Sequence, residues 1–447
     1  MRKTLFKAYL ILLWLLACLL TPAGEEQTVC LLATADLHGS SAQIVHAAGK
    51  QVRQYQKLYP GRVIYVDAGD TVQGSGSVNR RRGQGVMTLL AQAGCTVWVP
   101  GNHDLDFGAS AFAAVVREFP HTVLAANLSM PELDGKLQAW KIIEKDGIKI
   151  AFIGLTVNNI SDNFPFERNR LHSLPEALSL RRAVRSVRAV GADIIVLIRH
   201  AGKFGGGRNL MDLLKNFPEI DLVIGAHSHI ADPGSRVGSS WFVQPPPYGS
   251  GLAEVRMIFD KSSRRLKMVE SRIVELPECP QNDLDSQRLA PSLKGENANF
   301  TARKIRKYMK SDLALYFIEK TSRMAELLSK AQPTLDDYYN AYPNFDAMVN
   351  VSVSGEELAE ILQEYVSYCH SRKGLLTAAG LRLDVSGGKL RTVGFETIKS
   401  RYRLTLSAFA AAGAGGKLPR TRQILRDRID RKSADNAPGI LDIVLDR

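Results

Sequence analysis

Cysteine is scarce in this chain: five in 447 residues, at positions 18, 30, 95, 279 and 369, with no two at the spacing of a thiolate zinc site. Cys30 and Cys95 fall in apolar, strand-like runs, where a free thiol packs as a small hydrophobe. A disulfide between Cys279 and Cys369 is open to an exported protein, but nothing in their spacing requires one. Aromatic residues make up only 7 % of the chain, and no basic stretch is interleaved with them, which argues against a nucleic-acid partner. Negative charge is in the minority: 45 Asp and Glu face 58 Lys and Arg, and ten excess positive charges remain when Arg2, Lys3 and Lys7 are set aside. The excess is scattered, with "NRRRG" at 79–83 the one tight cluster near a motif, so it reads as a basic, solvated surface that favours anions only in general. No internal repeat and no low-complexity tract is present.

What is there begins with "MRKTLFK" followed by the 13-residue apolar run "AYLILLWLLACLL". A basic start and a run too short to span a bilayer comfortably match a secretory signal over residues 1–24. Cleavage near "TPAG" competes with lipid modification at Cys18, since "LLAC" resembles a bacterial lipobox. Either outcome exports the protein, to the periplasm or to the cell surface, and the second tethers it to a membrane. No later stretch is apolar for long enough to span one.

From Thr28 to about Arg272, short β-branched runs ("VCLLATA", "RVIYVDA", "TVWVP", "TVLAAN", "KIAFIGLT", "DIIVLIR", "DLVIGA") alternate with amphipathic segments. "PEALSLRRAVRSVRAVG", with Pro at its start and Gly at its end, carries the signals of a helix. Such alternation predicts an α/β layer domain over 25–275. The polar, proline-bearing segment 276–300 reads as a linker, and 301–447 as a smaller mixed α+β domain with a helix over "SGEELAEILQEYVSYCH" and a hairpin over "LRLDVSGGKLRTV".

The strand ends carry the chemistry. The first is followed by Asp36 and His38 in "ATADLHG", the second by Asp70 in "DAGDTVQGS", and the third by Asn102, His103 and Asp106 in "PGNHDLDFG". Two later ones give His200 in "RHAG" and His227 and His229 in "GAHSHI", so five of the nine histidines stand at strand termini. In an open α/β sheet the carboxyl ends of the strands border one crevice, where side chains distant in sequence converge. Carboxylate, amide and imidazole ligands suit hard-to-borderline divalent cations, and there are enough of them for two ions, with Asp70 the natural bridge. Gly69, Gly74 and Gly101 let the backbone turn sharply and approach an anion. His46, His121, His172 and His370 lack such company and read as surface or core residues. Lys203 and Arg208, around "FGGGR", either add positive charge near the cleft or belong to an ordinary loop.

This ordered set of motifs resembles the calcineurin-like metallophosphoesterases, in particular the bacterial and extracellular 5′-nucleotidase family, from about Thr28 to the low 430s. The resemblance implies a four-layer sandwich followed by a smaller substrate domain, two divalent ions (Mn, Zn, Co, Fe or Mg), a small phosphorylated substrate and a monomer. By the same resemblance Asp36, His38, Asp70 and His229 hold one ion, and Asp70, Asn102, His200 and His227 the other. His103, oriented by Asp106, faces the substrate and handles the proton of the leaving group.

In the second domain the family grips a nucleoside between two rings, and this chain departs from that pattern. Asn344 stands where the first ring would be, with Phe345 displaced by one; Phe409 matches the second ring; Gly415 replaces the ribose-binding aspartate; and only Arg323 matches the phosphate-binding segment. Asp312, Glu356 and "SGEEL" keep the domain's architecture. Phe345 and Phe409 therefore read as core aromatics unless they prove to line a pocket, and adenosine-type specificity is weakened by about a few kcal/mol. The reading is a dinuclear phosphoesterase using water as nucleophile. Its rivals are a cyclic-nucleotide phosphodiesterase, a nucleotide-sugar hydrolase, a thiosulfohydrolase-like ester hydrolase, or a surface binding protein with a vestigial centre.

Overall fold

The first-half strands are apolar on both faces, and that pattern dictates a sheet covered on each side. In the computed structural model, which describes residues 26–445 except 41–42, 159, 161–169, 206–207, 279–289, 291–292, 295, 298, 320, 343–346, 412, 415–416, 426–427 and 429–436, the covering is achieved by stacking two sheets. The proposed leader 1–24 and Cys18 lie outside the described residues, as does Cys279; Cys30, Cys95 and Cys369 are free, buried thiols.

The first sheet contains β1 (Glu26–Thr34), β2 (Val63–Asp67), β3 (Val97–Trp98), β4 (Thr122–Leu124) and β5 (Leu137–Gln138). The second contains β6 (Trp140–Lys145), β7 (Ile148–Leu155), β8 (Ile194–Arg199), β9 (Leu222–Ile224), β10 (Asp232–Val237) and β11 (Ser240–Gln244). The long antiparallel pair β12 (Gly251–Asp260) and β13 (Arg265–Glu275) returns to the edge of the first sheet. The orders are β13-β12-β1-β2-β3-β4-β5 and β10-β11-β9-β8-β7-β6. Within them β1-β2-β3-β4 and β7-β8-β9-β11 run parallel.

Alternate residues of each strand sort into different cores. Leu31 and Ala33 of β1 and Ile64 and Val66 of β2 meet Phe152, Val196, Ile198 and Ile224 between the sheets. Their neighbours Cys30, Leu32 and Tyr65 face α1 (Gly49–Leu58), α2 (Val86–Gln92) and α3 (Gly108–Glu118). On the far side, Ile153, Leu197 and Val223 pack under α4 (Glu176–Ala189) and α5 (Leu210–Leu214). Helix, sheet, sheet, helix is the four-layer order, and it follows from strands with two apolar faces, each needing cover.

The second half has its own sheet, β14 (Leu313–Ile318), β15 (Met348–Ser354), β16 (Leu375–Ala379) and β19 (Arg401–Ser407), in the order β15-β19-β14-β16, beside a hairpin of β17 (Leu381–Ser386) and β18 (Lys389–Phe395). Its helices include α6 (Asn299–Met309) and α7 (Gly355–Ser371). A capping box starts α7: Ser354 Oγ accepts from Glu357 N, and Glu357 Oε2 accepts from Ser354 N at 2.8 Å. Most of 276–300 lies outside the described residues; Leu276 packs into the first-half core and Leu293 into the second.

Candidate metal centre

The loops after β1, β2, β3, β8 and β9 meet at the carboxyl ends of the parallel strands. Two ligand groups form there. Asp36, His38 and His229 make one, and Asp70, His200 and His227 the other; within each group, one ligand atom from every residue lies within 4.8 Å of the others. In the first group His38 Nε2 and His229 Nε2 are 3.1 Å apart, and His229 Nε2 is 3.6 Å from Asp36 Oδ1. In the second, His200 Nε2 is 3.1 Å from Asp70 Oδ2. His227 and His229, two positions apart, are thus divided between the groups. A link between them is the main chain of His227, whose N–H donates to both carboxylate oxygens of Asp36 at 3.0 and 3.1 Å.

Unusual backbone aims these side chains. Asp36, His38, Asp70, His227 and His229 all have positive φ, between 45° and 70°. Left-handed backbone at a non-glycine residue costs about 1 kcal/mol or more and persists where the surroundings over-determine it. The surroundings here include Asp104, which is buried and accepts four main-chain N–H groups: Asp70 (2.9 Å), Thr71 (2.8 Å), Val72 (2.9 Å) and Gly101 (2.7 Å). One carboxylate therefore clamps the loop after β2 to the loop after β3. Beneath it, buried Asp67 accepts from Thr34 Oγ1 at 2.6 Å, Thr71 Oγ1 at 2.5 Å and Gly69 N at 3.1 Å. Sequence reasoning passed over both aspartates; the signal for Asp104 was its place in "GNHD".

The polar atoms of the site point to cations. Asn102 Oδ1 is buried without a hydrogen-bond partner, a state that costs about 1–3 kcal/mol unless something ligates it, and buried His200 Nε2 faces the Asp70 carboxylate at 3.1 Å. His200 Nδ1 lies 2.6 Å from Ala68 O, to which it donates, so that Nε2 is the nitrogen turned toward Asp70 and the centre. A Cβ on Gly101 would fall 2.2 Å from Asp70 Oδ1 and 2.5 Å from His200 Cε1, so only glycine leaves this cradle open. The donor set of carboxylate, amide and imidazole suits a divalent ion in each group.

Without an ion at the centre, the buried ligands balance one another's charge. Burial pushes Asp70 up, but the imidazoles of His200, His103 and His38 outweigh it and hold its carboxyl well below the ordinary range. Burial alone would lower His200, yet Asp70 raises it to about 9. Burial also drives Asp36 up to about 7 and both His38 and His227 down to about 4, which leaves these imidazoles neutral and able to ligate.

His103 sits beside the groups, half-buried, its main-chain N–H donating to Asp70 Oδ1 at 2.7 Å and its ring Nδ1 2.7 Å from Asp106 Oδ2. Burial opposes its charge, but Asp106 and Asp70 prevail and raise it to about 10. With Nδ1 committed to Asp106, Nε2 is the free donor.

None of the remaining sequence candidates among the described residues belongs to either ligand group. Lys203 is bound to Asp232 at 2.5 Å, and the main chain of Arg208 accepts from buried Arg199 and donates to Glu176, so both belong to the frame of the loop after β8. Arg323 is exposed on the helix Thr321–Ser329. Phe409 is 42 % exposed, which corrects its reading as a core aromatic: in the short helix Ala408–Ala411 it is Ala410 and Ala411 that turn inward. Asn344, Phe345 and Gly415 lie outside the described residues. A cavity of about 480 Å³ between α1 and β12–β13, lined by Tyr55, Tyr59, Glu254 and Arg272 among others, includes no residue of either ligand group.

Residues 31–231 match the model of the calcineurin-like phosphoesterase domain. The chain is similar to the endonuclease YhcR of Bacillus subtilis (strain 168), 22 % identical over 79 % of this chain and 33 % of the relative, and to a snake venom 5′-nucleotidase from Gloydius brevicauda, 22 % identical over 66 % and 55 %. It therefore spans between a third and just over half of these relatives' length. Among solved structures, a putative 5′-nucleotidase from Staphylococcus aureus in complex with alpha-ketoglutarate covers 94 % of this chain and 96 % of its own, at a TM-score of 0.69 and 16 % identity. That likeness extends the shared fold into the second half.

Proposed function

Because the chain belongs to the calcineurin-like metallophosphoesterases, in the company of 5′-nucleotidases, we propose that it is a dinuclear, metal-dependent hydrolase of small phosphate monoesters, nucleotides foremost. The observation that carries this reading is the convergence of two ligand groups, from four separate loops, beside the His103–Asp106 pair on a fifth.

Asp36, His38 and His229 would hold one ion and Asn102, His200 and His227 the other, with Asp70 shared. Two divalent ions supply Lewis acidity and fixed positive charge against phosphoryl oxygens. The chain's own residues do the rest. Asp70, kept ionised by three imidazoles, anchors the pair. Asp106 holds the proton on His103 Nδ1 and favours the imidazolium, so that Nε2–H is available to the leaving-group oxygen as charge develops there. Asp104 and Gly101 keep the loops from drifting, which matters because an error of about 1 Å in position costs about 100-fold in rate.

The test is hydrolysis of an aryl phosphate by protein reconstituted with Mn²⁺, Co²⁺ or Zn²⁺. Activity is expected with the wild type and loss of about 1,000-fold or more with Asp70→Ala, since a shared ligand serves both ions; an unaffected variant would end the proposal. Phosphodiester cleavage is a second reading, supported by the endonuclease relative. A diaryl phosphate and a short oligonucleotide assayed beside the monoester separate the two. Export, with or without lipid at Cys18, rests on the basic-then-apolar leader, and cell fractionation with Cys18→Ala tests it. Among the described residues no helix is long and apolar enough to cross a membrane.

A further inference from the structure

Tyr248 follows three consecutive prolines in "QPPPYG". Each proline fixes its own φ and keeps the residue before it extended, so the chain leaving β11 is stiff when it reaches the tyrosine. The turn is then fastened at several points. Tyr248 N donates to Asp36 O at 2.8 Å, Gln43 Nε2 to Gly249 O at 3.0 Å, and Ser250 Oγ to Pro247 O at 2.8 Å.

Held in this way, Tyr248 has a φ of 59°, which a bulky aromatic residue rarely adopts. Deep burial does not offset the cost of that conformation, since Tyr248 as a residue is 55 % exposed. What the conformation achieves is direction. The ring centroid is 5.4 Å from that of His38 and 5.3 Å from that of His229, nearly perpendicular to the latter, and the phenol oxygen is 3.4 Å from His229 Nδ1.

The two ligand groups differ in how their imidazoles are oriented. In the Asp70, His200 and His227 group a main-chain carbonyl, Ala68 O, sets His200. In the Asp36, His38 and His229 group side chains take that part, with Gln73 Oε1 3.3 Å from His38 Nδ1 and the Tyr248 phenol beside His229.

We propose that Tyr248 is a positioning residue for the Asp36, His38 and His229 group. Its hydroxyl accepts from His229 Nδ1–H, which leaves Nε2 free to ligate, and its ring walls His38 and His229 against rotation toward solvent. The inference rests on the reading of that group as a cation site, and it makes the grip on one of the two ions depend on Tyr248.

The test uses Co²⁺ alone, titrated into the metal-stripped full chain and followed by visible absorption and by competition with a chromophoric chelator. The wild type should show two binding events. In Tyr248→Ala one event should weaken by about 10- to 100-fold while the other stays within about twofold, the range seen when an orienting partner of a ligand is removed. In a variant whose circular dichroism matches the wild type, equal weakening of both events overturns the proposal, as does wild-type affinity at both. Either result leaves the proposed function standing, whereas a wild type that takes up no Co²⁺ overturns that function and this inference with it. Should the alanine variant fail to fold, Tyr248→Phe carries the test: one event alone should weaken by about threefold or more, and unchanged affinities overturn the proposal.

Discussion

Left-handed backbone occurs in both halves of the molecule, and its meaning differs between them. In the second half, Lys310 and Lys373 adopt it just past the ends of α6 and α7, where Ser311 N reaches back to Arg306 O and Gly374 N to Cys369 O, both at 3.1 Å. These are ordinary helix closures: the conformation satisfies carbonyls that the helix leaves open. In the first half Arg82, Asp146 and Arg264 serve the same end, at a helix terminus and in two hairpin turns, but Asp36, His38, Asp70, His227, His229 and Tyr248 adopt it too, and these close neither a helix nor a hairpin; five of the six the sequence had marked as ligands. There the strain buys direction for side chains. Both halves use the conformation to finish elements, and the first half uses it also to converge its chemistry.

On that contrast, changes around the first-half centre should act on rate or ion binding, with or without a loss of stability, and second-half changes on stability alone. The largest effect is expected from His103→Ala, which should lower kcat on an aryl phosphate by about 100- to 10,000-fold, the usual share of a positioned acid, while metal content by elemental analysis stays at the wild-type level. Loss of metal with it would move His103 into the ligand set. Next comes Asp104→Ala, which strands four buried N–H groups. Chemical denaturation should show destabilisation of about 3 kcal/mol or more, with weakened ion uptake, and a variant as stable as the wild type would remove Asp104 from its clamping role.

A smaller change should follow Asp106→Asn. His103 is raised to about 10 by its carboxylate neighbours, so its imidazolium is present below that value and lost above it. Removing the charge of Asp106 lowers that limit, and the basic limb of the kcat profile should move to lower pH; a shift to higher pH would contradict the assignment of His103 as donor. The smallest effect is reserved for the second half. Ser354→Ala breaks the capping box of α7 and should cost about 1 kcal/mol in thermal or urea unfolding, with aryl phosphate hydrolysis unchanged. A fall in activity there would blur the division between the halves.

The sequence made the strand ends of the first half legible because two signals coincide there: an apolar run that must be buried, and polar, metal-loving residues placed immediately after it. Asp36, Asp70, His103 and His200 could all be found in that way. The helix at 355–371 and the hairpin at 381–395 were legible for a related reason, since caps and turn glycines are local. Asp104 was hidden because its partners are main-chain N–H groups, which leave no mark on composition. Tyr248 was hidden because an aromatic residue after three prolines reads as a loop until its ring is seen against His38 and His229. The strands β12 and β13, the longest of the first sheet, escaped notice because they alternate polar with apolar residues, unlike the continuous runs of the parallel strands.

By itself, then, the sequence determined which residues could ligate ions and which segments had to be buried, because both depend on side-chain chemistry and on periods of a few residues. The tertiary structure alone decided how the ligands divide, sending His227 to one group and His229 to the other, and which residues hold them in place. That division depends on backbone torsions and on contacts between residues as many as 212 positions apart, such as Tyr248 N to Asp36 O, and no local pattern encodes a contact of that span.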